Sequence, residues 1–120
     1  MIYLATPYSH PDPAVREQRF QVVNRAASSL KRRGFHVFSP ISHSHPIALA
    51  GGLPLDWEYW AEDACTMLSA CDAVIVLKQD GWPESVGVKA EIEIAEGIGI
   101  RIDYIDVEPE WLTYSRSDTT

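Results

Sequence analysis

Short apolar runs alternate along this chain with longer stretches in which apolar residues recur every three or four positions. The runs cover residues 1–5, 35–38, 73–77 and 100–105. Their length and their β-branched and aromatic content predict strands, the third of them, Ala73-Val74-Ile75-Val76-Leu77, buried on both faces. Phe20, Val23, Ala27 and Leu30 keep helical spacing in a segment opened by Asp12-Pro13, a capping side chain followed by proline at the first helical position. Lys31-Arg32-Arg33 and Gly34 close that helix where cations suit its dipole. Trp57, Trp60, Ala61, Ala64, Met67, Leu68 and Cys71 trace one face of a second helix over residues 55–71. Val88, Ile92 and Ala95 do the same for a third over residues 85–96. Residues 39–46 are polar and proline-punctuated and read as a loop, while residues 47–53 fit neither period. Residues 109–114 are expected to form a short helix and residues 115–120 a mobile polar tail.

Regular alternation of strand and helix predicts an α/β fold: a Rossmann- or flavodoxin-like three-layer sandwich with a parallel sheet of four or five strands. The expected unit is one domain over residues 1–114. Ligands in such sheets bind outside the carboxyl ends of the strands. Three segments leave those ends, at residues 6–10, 39–46 and 78–85, and between them they are rich in hydroxyls and histidines.

Of the 120 residues, 46% are hydrophobic and 22% charged, as in an ordinary soluble globular protein. A net charge of −7 argues against a partner that is a nucleic-acid polymer, which calls for a basic face. A small nucleotide stays open, because one helix N-terminus can hold one phosphate. No apolar stretch has the length of a membrane span, and no leader-like segment opens the chain, so a cytoplasmic protein without a membrane partner is expected. Cys65 and Cys71 are read as buried, reduced thiols. His43-x-His45 invites a metal reading, but no further ligand pattern stands nearby, and no metal or organic cofactor is expected. Either histidine is left to a phosphate or hydroxyl contact, or to a structural hydrogen bond.

The strongest chemical signal is Ser85-x-Gly87-Val88-x-x-Glu91, directly after the third strand and its turn. Glu91 falls inside the apolar stripe, three residues from Val88 and four from Ala95, whereas Glu93 and Glu96 point elsewhere. A carboxylate on a buried face is costly unless it is paired or put to use, as a nucleophile or an acid/base group in a crevice. Gly87 lies one turn before Glu91 and leaves room for a substrate atom beneath it. Ser85 caps the helix, where its hydroxyl and the free N–H groups suit an anion. Asp72 stands at the wrong end of its strand for a site and suits a turn. Asp56 and Asp63 are solvated helix residues or groups that reach the pocket. Trp57 and Trp60 read as core packing, and Trp82, in a loop beside Ser85, is the better stacking partner for a base.

These motifs resemble the nucleoside 2-deoxyribosyltransferase superfamily, which includes nucleotide N-glycosidases. The likeness rests on Ile2-Tyr3-Leu4-Ala5, on Asp72-Ala73-Val74-Ile75-Val76, and above all on Ser85-x-Gly87-Val88-x-x-Glu91-Ile92-x-x-Ala95. With Tyr8-Ser9-His10 and Ser42-His43-Ser44-His45-Pro46, the pattern is most similar to a small bacterial and phage branch. The resemblance implies that Glu91 attacks the anomeric carbon, expels the base and forms a glycosyl-enzyme that water or a second base resolves. A serine at position 85, where many nucleoside transferases carry aspartate, implies a (deoxy)nucleoside 5′-monophosphate substrate and hydrolysis. Base exchange between nucleosides, or a binding domain without chemistry, are the alternatives. Thr6, Ser9 and His10 would complete a phosphate shell, and Tyr8 or Trp82 would hold the base. Asp63 or Asp56 would assist the leaving group, although the superfamily's aspartate aligns with Ala64, one residue away from Asp63. A homodimer or larger homo-oligomer is implied as well.

Overall fold

Every residue of β1 (Ile2–Ala5) and β3 (Ala73–Leu77) is buried, because helices cover both faces of the sheet they form. The computed structural model describes residues 1–108. Within them four strands, completed by β2 (Val37–Phe38) and β4 (Arg101–Ile105), run parallel in the order β2-β1-β3-β4. Helices α1 (Pro13–Arg32), α2 (Pro40–Gly51), α3 (Trp57–Ser69) and α4 (Val86–Ile98) flank the sheet. This is the predicted Rossmann-like α/β arrangement, with four strands. The expected helix at residues 109–114 and the tail at residues 115–120 lie outside the described residues.

Strand alternation sorts side chains into two layers. Ile2, Leu4, Ala73, Ile75 and Leu77 pack with Val22, Val23, Ala26 and Leu30 of α1. Tyr3, Ala5, Val74 and Val76 face the other way, onto Ala64 and Leu68 of α3 and Val88 and Ala95 of α4. Each fully buried aliphatic side chain stabilises the fold by roughly 1.5–3 kcal/mol relative to exposure. Asp12 caps α1 as its sequence indicates, its carboxylate accepting from the Ala14 N–H at 2.9 Å, with Pro13 in the first turn.

Two expectations change. Residues 40–51 form a helix where residues 39–46 read as a loop. Pro40 sits in the first turn, where no backbone N–H is needed, so it starts the helix that it was taken to break. Pro46 lies inside α2 and is tolerated there at the expense of one helical hydrogen bond. Cys71 is buried, but Cys65 is exposed, because it stands about 100° around α3 from Ala64, off the buried face.

The chain passes from β1 through α1 to β2 on one side, while β3 lies on the other side of β1. The switch point of this topology is therefore the crevice between the carboxyl ends of β1 and β3. On the α1 side that crevice is tied shut. Gln79 donates through Nε2 to Thr6 Oγ1 at 2.9 Å and to the Arg19 carbonyl at 3.1 Å. The Arg19 guanidinium donates to the carbonyls of Ser9 at 3.1 Å and Asp80 at 2.9 Å. Gly81 makes the turn at φ +88°, and a Cβ there would stand 3.0 Å from Arg19 Nη2. What stays open faces α2, α3 and α4.

Candidate active site

A cleft of about 970 Å³ fills that opening. Its floor is Glu91, buried at 6% exposure one turn into α4. The Tyr3 hydroxyl, arriving from β1, donates a short hydrogen bond to Glu91 Oε2. Burial pushes the Glu91 carboxyl up to about 7, and the Tyr3 hydrogen bond acts against that rise by favouring the charged form. Tyr3 is driven far above the usual phenol range, first by burial and then by the Glu91 charge, so it remains a donor.

Ser85 caps α4, its Oγ accepting from the Val88 N–H at 3.2 Å, and lines the cleft beside Glu91. Gly87 lines it too. A Cβ there would lie 3.6 Å from Trp57 Cε3, so the indole packs across the glycine. Trp57 and Trp60 are half-buried cleft walls, where the sequence favoured core packing over contact with a base. Thr6 also borders the cleft, but its hydroxyl is engaged, donating to the Leu77 carbonyl at 3.2 Å and accepting from Gln79. Ser9 lines the cleft and donates to the Leu55 carbonyl at 3.2 Å. Tyr8, His43, Asp56 and Asp63 complete the predicted residues that the cleft brings together. Asp56 and Asp63 are solvent-exposed at its mouth.

Three predicted residues lie elsewhere. His10 turns away from the cleft and accepts at Nδ1 from the Asp12 N–H at 3.0 Å, which supports the start of α1. Trp82 packs against Tyr104 of β4, ring centroids 5.6 Å apart, away from the cleft. The 3₁₀ turn at Trp82–Glu84 carries its indole toward β4 while Glu84 borders the cleft. His45 is buried behind the wall, because two residues along a helix turn a side chain by about 200°. The α2 helix thus turns His43 and His45 to different sides, whereas in a loop the two could have shared a ligand. Among the described residues, no three His, Cys, Asp or Glu side chains are grouped as a metal would need.

A family model described as a domain of unknown function, DUF1937, matches residues 1–106, from β1 to just past β4. The chain belongs to the DUF1937 family. No curated protein matches it.

In this DUF1937 chain the sequence left Tyr3 unread as a site residue, although a tyrosine in a wholly buried strand signals a hydroxyl in need of a partner. Its alternation with Ile2 and Leu4 places it on the face that α4 covers. The cleft also has a charge character that the motifs did not announce. Asp56, Glu58, Asp63 and Glu84 line it with Glu91, and among the described residues no lysine or arginine does. Arg19 and Arg16 stand near the first loop: the Arg19 guanidinium is given to the Ser9 and Asp80 carbonyls, and that of Arg16 to the His10 carbonyl and the Tyr8 hydroxyl. A buried carboxylate held by a tyrosine, in a cleft walled by two indoles, suits covalent catalysis at an electrophilic carbon bearing a flat leaving group.

Proposed function

We propose that this protein cleaves the N-glycosidic bond of a nucleoside, with Glu91 as the nucleophile that takes the sugar. The observation carrying this reading is the buried Glu91 carboxyl, held by Tyr3 and open to a cleft with aromatic walls. The Ser85-x-Gly87-Val88-x-x-Glu91 motif supports it through its likeness to the nucleoside 2-deoxyribosyltransferase superfamily. Glu91 attacks C1′, the bond to the base breaks, and the Tyr3 hydroxyl holds the carboxylate in place. A carboxylate also stabilises the oxocarbenium-like transition state. Water or a second base then releases the sugar from Glu91. The pairing of subunits implied by the superfamily belongs to the same reading.

The charge of the cleft favours a neutral nucleoside over its 5′-monophosphate, since a phosphate would meet carboxylates where no described lysine or arginine lines the wall. A second observation favours the monophosphate: Ser85 places a hydroxyl and the N-terminus of a 13-residue helix at the cleft. Free-base release from a panel of ribo- and deoxyribonucleosides and their monophosphates decides between them. Wild type should release base, nucleosides reacting faster than monophosphates, and Glu91→Gln should lose at least a thousandfold. Release undiminished in Glu91→Gln contradicts the nucleophile, and binding without any release would leave a sensing domain.

A further inference from the structure

Departure of a base from C1′ is eased by a proton, and the expected donors, Asp56 and Asp63, are exposed carboxylates at the mouth of the cleft. Behind the opposite wall stands a different arrangement. Tyr8, after β1, lines the cleft, and its Oη lies 2.5 Å from His45 Nδ1. His45 is 4% exposed, and its Nε2 lies 2.9 Å from Glu17 Oε2 on α1. The Phe20 ring covers the imidazole at 4.3 Å, and the Glu17 carboxylate is 54% exposed to water. Three elements thus form one chain of hydrogen bonds from the solvent, through the wall, to the cleft.

We propose that Glu17, His45 and Tyr8 are a proton path that supplies the leaving base, with Tyr8 the acid that touches it. This rests on the glycosidase reading above. In the loaded state the imidazolium is held by Glu17 at Nε2 and donates through Nδ1–H to the Tyr8 oxygen, which turns the phenol proton into the cleft. As Glu91 bonds to C1′, the electron pair of the breaking C1′–N bond goes to the base, which takes the Tyr8 proton. Tyr8 takes the His45 Nδ1 proton in turn, leaving a neutral imidazole whose Nε2–H stays on Glu17. Water then attacks C1′, freeing Glu91, and its surplus proton returns to the path. Burial holds the Tyr8 hydroxyl above the usual phenol range, while the Arg16 guanidinium pulls it down by its charge and by a hydrogen bond to the phenol oxygen, and the Glu17 charge pushes it up. The groups facing the relay are therefore Arg16 and Glu17 from α1, His45 from α2 and the phenol itself.

Tyr8 and Glu17 are not core residues, so Tyr8→Phe and Glu17→Gln test the path without emptying the interior. On the unmodified nucleoside that wild type cleaves fastest, Tyr8→Phe should lower kcat by 10²–10⁴-fold. On an N7-methylated purine nucleoside, whose base departs neutral without a proton, the loss should shrink to about tenfold or less. Glu17→Gln should leave KM near wild type and lower kcat on the unmodified nucleoside while sparing the N7-methylated one, because the hydrogen bond that holds the imidazole at Nε2 loses its charge. Equal losses on both nucleosides in Tyr8→Phe and in Glu17→Gln would reduce the trio to a structural strut. Full activity in Tyr8→Phe, with Glu91→Gln inactive, would overturn the path alone. A wild type inactive on every nucleoside would overturn the glycosidase reading and the path with it.

Discussion

Glu91 carries opposite consequences for folding and for chemistry. Its carboxyl is raised from 4.5 to about 7, chiefly by burial. The folded state thus binds a proton that the unfolded state has released anywhere between those values. Its contribution is fully present below about pH 4.5 and lost as pH rises through about 7, a swing of about 3 kcal/mol. Urea titrations at pH 5 and pH 8 should show Glu91→Gln narrowing the stability difference between them, mainly by stabilising the protein at pH 8. An unchanged difference would mean that Glu91 is not the buried titrating group. Catalysis runs the other way, since the nucleophile must be ionised, so activity should rise with pH toward and through about 7. Glu91 was legible in sequence because its position inside an apolar stripe needs only helical periodicity. Its partner Tyr3 was not, because no local pattern links residues 88 positions apart.

At the scale of elements, α4 is built so that a cap, a gap and a carboxylate fall on one wall. Ser85 satisfies the Val88 N–H, Gly87 gives way to the Trp57 indole, and Glu91 follows one turn later. Gly87→Ala would meet only an ordinary contact with Trp57, and alanine is the better helix former by about 1 kcal/mol. The variant should therefore gain up to about 1 kcal/mol of stability and lose substrate affinity, as its methyl narrows the cleft beside Glu91. A destabilised Gly87→Ala, read by thermal denaturation, would show that the glycine serves the fold instead. The strands and the three helices with regular apolar spacing could be read from sequence, since period and capping residues both operate locally. Helix α2 could not, because Pro40, Pro46 and two serines send loop signals that the packing of Ile41, His45 and Ala48 outweighs. The misreading reached the site: the helix moves His45 from the cleft to the wall behind it.

For the whole molecule, the order β2-β1-β3-β4 decides where chemistry can occur. It opens a switch point above β1 and β3, and the Arg19 and Gln79 bridges close one side of it. The cleft is thereby directed toward α3 and α4, where the motif stands. Alternation of strand and helix made that location legible, whereas the charge of the walls depended on loops and helix ends that only folding brings together. No helix among the described residues is long and apolar enough to cross a membrane, and the chain's charge of −7 is concentrated in part around the cleft. The bond between the sugar and Glu91 can be observed directly. Fluorine at C2′ destabilises the oxocarbenium-like transition states of both steps, and an N7-methylated purine base, which departs without a proton, restores the first, so that the sugar stays on the enzyme. Mass spectrometry of wild type incubated with a nucleoside carrying both should show one added fluorosugar, mapped by proteolysis to the peptide holding Glu91 and absent from Glu91→Gln. Base release from ordinary nucleosides with no adduct on Glu91, or with the sugar on another residue, would rule out Glu91 as the nucleophile.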